Sequence, residues 1–327
     1  MQQLSWYFAK LKSPIRPIKR WIVRQIAARK GPRTLLNRYY GSLSDEAKCR
    51  FERLYGQVFR SRGLFGGQGV PLAPGEWSIR FVDREIRLPL RPAWAALDWE
   101  SAVSAVGHDT EVIQTYTALI RSDQRPALFL DVGANYGMHS ILFLSAGIPV
   151  IAFEPNPTCF PHFQTMCELN GLAAARWEQV AIGNRSGQID LVYPENDSWM
   201  GSVSLGLIPE LRDNFGGLIT QRVPIKMLDD YLGHVPRDNV LIAIDVEGFE
   251  QEVIAGASQF LRHCRPKIIF ESLLGWGPKS RNELFRLFAD RGYSIHSLPW
   301  QPSGPSRFLN IGEFVASTAI NFIAIAP

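Results

Sequence analysis

The sequence predicts an α/β fold, a largely parallel sheet with helices on both faces, and three observations carry that expectation. Short apolar runs at 128–130, 150–153, 240–244 and 267–270 alternate with amphipathic stretches, the texture of parallel strands covered on both sides. Each run meets an acid at its end (Asp131, Glu154, Asp245 and Glu271), and open parallel sheets bind ligands beyond the carboxyl ends of their strands. The 327 residues are 46% hydrophobic and 20% charged. These are ordinary globular values that leave material for a large core in about two domains, and they exclude a disordered, collagen-like or disulfide-scaffold chain.

Charge is unevenly placed. Residues 1–38 hold ten Lys or Arg and the first acid is Asp45, while the whole chain carries only +4. A basic leader therefore precedes a net acidic body, and an acidic body offers no basic groove for nucleic acid. Leu4, Phe8, Leu11, Ile15, Ile18, Ile22 and Ile26 recur at helical spacing, with Pro14 and Pro17 dividing the run into two short helices. Three readings of this leader stand: peripheral attachment to an anionic membrane, a helix packed on the body, or a targeting segment. The division expected is a leader over 1–43, an extension over 44–110 and an α/β domain over 111–327.

Cys49, Cys159, Cys167 and Cys264 match neither a disulfide framework nor a zinc spacing, and read as buried thiols of a reducing compartment. No stretch approaches the ~20 apolar residues of a membrane span, and basic residues interrupt any secretory core. The expected setting is the cytoplasm, at the inner face of the membrane if the leader is the attachment segment.

Along the extension, Ala47, Phe51, Leu54, Tyr55 and Val58 suggest a helix over 44–60. Gly63, Gly66, Gly67 and Gly69 follow without a GK[ST] element, and so read as a linker rather than a phosphate loop. Trp77, Ile79 and Phe81, then Ile86, Leu88 and Leu90, alternate as a β-hairpin turning near Asp83 and Arg84. Helices are expected over 94–106 and 110–121, the second with Val112, Ile113, Tyr116, Leu119 and Ile120 inward. Residues 321–326 form a last strand, expected antiparallel at or near the sheet edge.

The sharpest pattern is Asp131-Val132-Gly133-Ala134-Asn135-Tyr136-Gly137, a strand end turning into a helix. Gly133 and Gly137 admit close backbone approach, and Asn135 tolerates a left-handed conformation. Glu154 ends the next strand, where an acid can accept the two ribose hydroxyls of an adenosine. Asp131 would repel a pyrophosphate and attract a sulfonium or amino group, which favours S-adenosyl-L-methionine over NAD.

The succession DVGANYGMHS (131–140), AFEPNPTCF (152–160), VAIGNRSGQIDL (180–191), MLDDYL (227–232), IDVEGFEQEVIAGA (244–257) and PKIIFES (266–272) resembles the FkbM family of class I S-adenosylmethionine-dependent methyltransferases, over roughly residues 111–327. The resemblance implies a Rossmann-like seven-stranded sheet and O-methylation of a sugar, glycan or natural product. It implies that Asp131, Gly133, Ala134, Asn135 and Gly137 line the methionine part of the donor, with His139 and Ser140 reaching the same pocket. It places Glu154 on the ribose, Pro155 and Asn156 beside it, and Val180, Ala181 and Ile182 at the end of the third strand against the adenine. Two positions depart from the family: Ala243 stands where lysine is common, and Met227 where threonine is common. They motivate one alternative, a donor-binding module without turnover. An NAD-dependent oxidoreductase is the other.

Methylating a hydroxyl requires a base. Asp245 and Glu247 lie two residues apart, and strand alternation would send both to one side. Asp245 is the first candidate for base or substrate contact, Glu247 the second, and Glu271 could join them. Three such oxygens would suit a divalent metal such as Mg²⁺; the same acids also cap helices and pair with arginines, so both readings stand. Residues 197–204, with Trp199, and later Trp276 and Trp300 are candidates to line an acceptor pocket. His108, His162, His234, His263 and His296 read as surface or packing residues.

Overall fold

The computed structural model describes residues 75–90, 109–173, 175–195, 201–204, 217–273, 275, 277–301 and 303–327, with isolated positions 35, 39, 42–44 and 47 before them. The basic leader, the Gly-rich linker, the helix expected over 94–106 and nearly all of that over 44–60 lie outside these residues. So do Cys49, His108, Trp199 and Trp276. The chain divides into two units, Met1–Thr110 with Gln164–Ala173 and Glu111–Phe163 with Ala174–Pro327.

In the first unit, β1 (Gly75–Phe81) and β2 (Arg84–Leu90) pair antiparallel in a register that sets Ile79 opposite Ile86. The turn is Val82 and Asp83, slightly earlier than the sequence pattern suggests, with Val82 at φ 53°; two-residue hairpin turns demand positive φ. Ile79, Phe81, Ile86 and Leu88 are buried as their alternation predicts.

From Thr110 onward the elements follow as α1 (Thr110–Arg121), β3 (Leu128–Val132), α2 (Met138–Ser145), β4 (Val150–Phe153), α3 (Phe160–Leu169) and β5 (Arg176–Glu178), all in the second unit except Thr110 and the part of α3 from Gln164 on. Next come β6 (Ala181–Ile182), β7 (Gly187–Pro194), β8 (Leu218–Lys226), a 3₁₀ helix (Leu228–His234), β9 (Val240–Ile244), α4 (Glu250–Ala255) and α5 (Ser258–Cys264). The chain ends with β10 (Lys267–Glu271), α6 (Gly277–Ala289), β11 (Ser294–Ser297), α7 (Ile311–Ala316) and β12 (Asn321–Ile325). Seven strands form one sheet in the order β11-β12-β10-β9-β3-β4-β5. The five from β10 to β5 are parallel, and β12 runs antiparallel between β10 and β11. This is the Rossmann-like α/β sheet expected, with the last strand one place in from the edge that β11 occupies.

Strand alternation divides the core. Leu128, Leu130 and Val132 of β3 join Ile242 and Ile244 of β9 and Val253, Phe260, Leu284 and Phe288 of α4, α5 and α6. On the opposite face Phe129 stacks on Phe143 of α2 at 3.8 Å and meets Tyr116 of α1 edge-on. Each fully buried side chain of this kind contributes about 1.5–3 kcal/mol. Arg281, only 1% exposed, gives its guanidinium to the carbonyls of Ser272, Phe314, Ser317 and Ala319, tying the loops around β10 and β12 together. Cys159, Cys167 and Cys264 are buried thiols outside any disulfide. Among the described residues no helix is long and apolar enough to cross a membrane.

A second sheet, β6-β8-β7, is short and mixed. Ala181 and Ile182 belong to it and not to the third strand of the main sheet, because β5 stops at Glu178. The MLDD segment that follows is structural. Asp229 accepts the backbone N–H groups of Gln259 (3.1 Å) and Phe260 (2.7 Å) at the start of α5. Asp230 accepts the N–H of Met227 and the Ser186 hydroxyl, and Met227 contributes no capping side chain to the 3₁₀ helix. Asp229→Ala strips two helix-start donors of their acceptor and should lower stability by about 1–2 kcal/mol, read as a lower urea midpoint with unchanged slope.

Candidate active site

Strand order reverses at β3: the chain moves outward through β4 and β5, then returns to β9 on the other side. Crevices open at such points, beyond the carboxyl ends. Here an open cleft with ≈ 660 Å³ of empty space is lined by Gly133, Asn135, Glu154, Pro155, Val180, Ala181, Ile182, Asp245, Val246, Glu247 and Phe249, with Phe153, Cys159, Leu191, Gly201, Ser202 and Val203 completing it.

The β3–α2 turn is built by its backbone. Gly133 sits at φ 84°, and a Cβ there would lie 1.8 Å from the carbonyl oxygen of Asp245. Asn135 takes the left-handed conformation its residue type favours, at φ 50°. Gly137, at φ 77°, passes so close to Phe163 that a Cβ would meet the ring at 2.1 Å. The N–H groups of Gly133 and Ala134 both donate to the Phe153 carbonyl at the end of β4.

Glu154 is the anchor of the donor side. It is 8% exposed, and its two carboxylate oxygens accept the N–H groups of Asn135 and Asn156, each at 2.8 Å. Burial pushes its pKa up to about 7 against the pull of those two donors. A carboxylate has about four lone-pair sites, so each oxygen keeps acceptor capacity beyond its backbone bond. Asn156 is buried and turns its own oxygen to the Thr158 N–H and hydroxyl.

Asp131 lies under the turn and not on the cleft wall. It shares the face of Phe129, toward α2, and accepts the Ser140 hydroxyl at 2.5 Å. Burial raises its pKa. His139 likewise stays off the wall: its Nδ1 meets the Tyr116 hydroxyl at 3.2 Å, with the rings edge-on. The sheet register makes Ala243 the partner of Asp131, so the position where a lysine was expected would lie beside this carboxyl.

The acids at the end of β9 reach the cleft by a different route from strand alternation. β9 stops at Ile244, and Glu247 turns to φ 50°, so a tight turn and not an extended strand brings Asp245 and Glu247 to the same wall. Glu250 holds that turn. Its Oε1 accepts the N–H groups of Val246 (3.2 Å) and Gly248 (3.3 Å), and burial raises its pKa to about 8. As an acid in the first turn of α4, Glu250 looks in sequence like an ordinary macrodipole partner. Glu271 does not line the cleft; its strand places it opposite Asn321. Among the described residues no three His, Cys, Asp or Glu gather in a group that could hold a metal ion, so the three-carboxylate arrangement is not formed.

Gly201, Ser202 and Val203, from the segment expected on the acceptor side, do line the cleft, whereas 197–200 lie outside the described residues. Trp300 is buried, its backbone N–H on the Thr115 hydroxyl and Lys267 over its ring. Cys159, Leu191 and Phe249 also line the cleft; they lie within the quoted motifs, but nothing in their residue types marks them as site residues.

The methyltransferase FkbM domain family matches residues 131–295, half of the chain. The chain belongs to the FkbM methyltransferase family. It is 29% identical over 146 residues to Methyltransferase 1 of Beauveria bassiana, covering 40% of this chain and 58% of that protein. It is 28% identical over 171 residues to the 2-O-methyltransferase NoeI of Sinorhizobium fredii, covering 48% of this chain and 68% of that one. The solved structure of an FkbM methyltransferase from Methylobacillus flagellatus aligns with 71% of this chain and 54% of its own, at 12% identity and a TM-score of 0.38. The chain thus spans little more than half of the fungal relative's length. Within the FkbM domain, Gly133→Ala should cost about 3 kcal/mol or more, since it adds overpacking to a left-handed conformation; thermal unfolding of the purified variant checks it.

Proposed function

We propose that the chain transfers the methyl group of S-adenosyl-L-methionine to a hydroxyl oxygen of a sugar, glycan or secondary metabolite. The observation that carries the donor assignment is Glu154 on the cleft wall, fastened by two backbone N–H groups and still able to accept a vicinal diol. The residues present fit such a donor. Gly133 lets the turn close against the end of β9, Glu154 would accept the ribose hydroxyls, and Val180, Ala181, Ile182 and Phe249 would offer apolar flanks for a flat base. When bound, S-adenosyl-L-methionine supplies an electrophilic methyl on a sulfonium.

The chain's own residues supply position and proton transfer. Asp245 lines the cleft with its side chain exposed, which suits a base that takes the proton of an incoming hydroxyl. Glu247 stands two residues on, on the same wall. The apolar cleft walls at Leu191, Val203 and Phe249 exclude water and align the acceptor, and alignment and desolvation supply much of the rate of such transfers. An oxygen acceptor is supported by this carboxylate and by the relative named a 2-O-methyltransferase.

The deciding experiment incubates the purified full chain with methyl-labelled S-adenosyl-L-methionine and fractionated extract of its host, then identifies the methylated compound. Asp245→Asn should lower kcat by about 10²–10⁴, the worth of a positioned base, with S-adenosylhomocysteine binding unchanged. Donor binding without transfer to any fraction would instead favour a binding module. Donor affinity should also follow Glu154. With its pKa near 7 the ligand-accepting carboxylate is lost on acidification, so S-adenosylhomocysteine affinity should rise about tenfold from pH 6 to pH 8. Glu154→Gln should weaken binding by about tenfold or more, since its amide NH₂ must face one of the two backbone donors, and should flatten that pH dependence in calorimetric titrations.

A further inference from the structure

Glu247 adopts a left-handed conformation that side-chain-bearing residues rarely take, and a contact from a distant segment secures it. Its carbonyl oxygen accepts the Ser202 hydroxyl at 3.0 Å, across 45 residues of sequence. Ser202 is 3% exposed, and its main chain pairs with Val192 in both directions, at 2.9 and 3.0 Å. The same hydroxyl accepts the Ser204 N–H at 2.9 Å, so its orientation is set from both ends. On the other side of the turn, Glu250 accepts the N–H groups of Val246 and Gly248. The acid turn is therefore gripped twice, at its donors by its own helix and at a carbonyl by the segment 201–204.

That segment also reaches the donor wall. A Cβ on Gly201 would lie 3.6 Å from the Tyr193 Cβ and 3.9 Å from the Asn156 Nδ2, and Asn156 donates its backbone N–H to Glu154. Residues 201–204 thus bridge the two halves of the cleft, one of which takes the donor and the other the acid pair.

We propose that Ser202 is a positioning residue, whose hydroxyl fastens segment 201–204 to the acid turn and holds Glu247 in its left-handed conformation, so that the acceptor side of the cleft forms only with this segment seated. Its consequence for catalysis rests on the proposed methyl transfer; the latch does not. Because the bond goes to a main-chain oxygen, a hydroxyl at position 202 is what matters, and threonine can replace serine where alanine cannot.

Hydrogen–deuterium exchange of the full chain, read by mass spectrometry on peptides covering 245–249, tests the latch without any acceptor. Ser202→Ala should speed exchange there about fivefold, the factor expected for one net hydrogen bond. Ser202→Thr should keep the wild-type rate, and peptides from β9 and α5 should not change. Unchanged exchange at 245–249 in Ser202→Ala overturns the proposal, and so does a rise spread evenly along the chain. In methyl transfer, Ser202→Ala should lower kcat with the KM for S-adenosyl-L-methionine unchanged, and faster exchange with kcat intact would overturn the catalytic role of the latch. A wild-type chain that methylates nothing refutes the proposed function, while the exchange result still decides the latch.

Discussion

The carboxyl ends of β3 and β9 come so close that a single methyl group at Gly133 would overlap the carbonyl oxygen of Asp245. The contact is closed by the Asp245 N–H, which donates to the Val132 carbonyl at 3.0 Å. From there the hydrogen bonds run in a ring. Gly133 and Ala134 donate to Phe153 at the end of β4, and Asn135 donates to the Glu154 carboxylate just beyond it. Three strand ends are thereby joined through one turn, and the cleft is the space that this ring leaves open. Any residue with a Cβ at position 133 would push β9 away and separate the donor wall from the acid pair.

Asp131, Glu154 and Glu250 are buried acids held by hydroxyl and backbone N–H donors. In all three, desolvation outweighs those hydrogen bonds and raises the pKa. The sign for stability follows: each raised acid favours the fold most below its ordinary carboxylate range, and that contribution is lost as pH rises through about 7 for Glu154 and about 8 for Glu250. The site holds its acids in a tension that a surface carboxylate would not feel, which is common where acids bind or react.

Much of this was legible beforehand. Apolar runs marked β3, β4, β9 and β10, because strands covered on both faces cannot disguise their composition, and the acids at their ends marked the rim. Asn135 proved left-handed, as an Asn between two glycines suggests. Glu247 was harder. Period-two geometry was the right rule for an extended strand, but β9 ends at Ile244, and the residue reaches the cleft through a left-handed turn. Asp131 and Ser140 were both expected in the pocket, yet they satisfy each other beneath it, because strand alternation turns Asp131 toward α2. Glu250 acts on its own turn, through N–H groups two and four residues away, whereas the Ser202 hydroxyl reaches Glu247 across 45 residues.

The sequence by itself determined the parts whose physics is local: the strands, from their unbroken apolar composition; the tight turn, from glycines at positions that require positive φ; and the acids at the strand ends. Tertiary structure alone decided which of those acids share a cleft. Side-chain direction depends on where each strand stops, and the bonds from Asn135 to Glu154 and from Ser202 to Glu247 span 19 and 45 residues of sequence. A backbone N–H or a serine hydroxyl looks the same everywhere in a sequence; only the fold decides whose oxygen it meets.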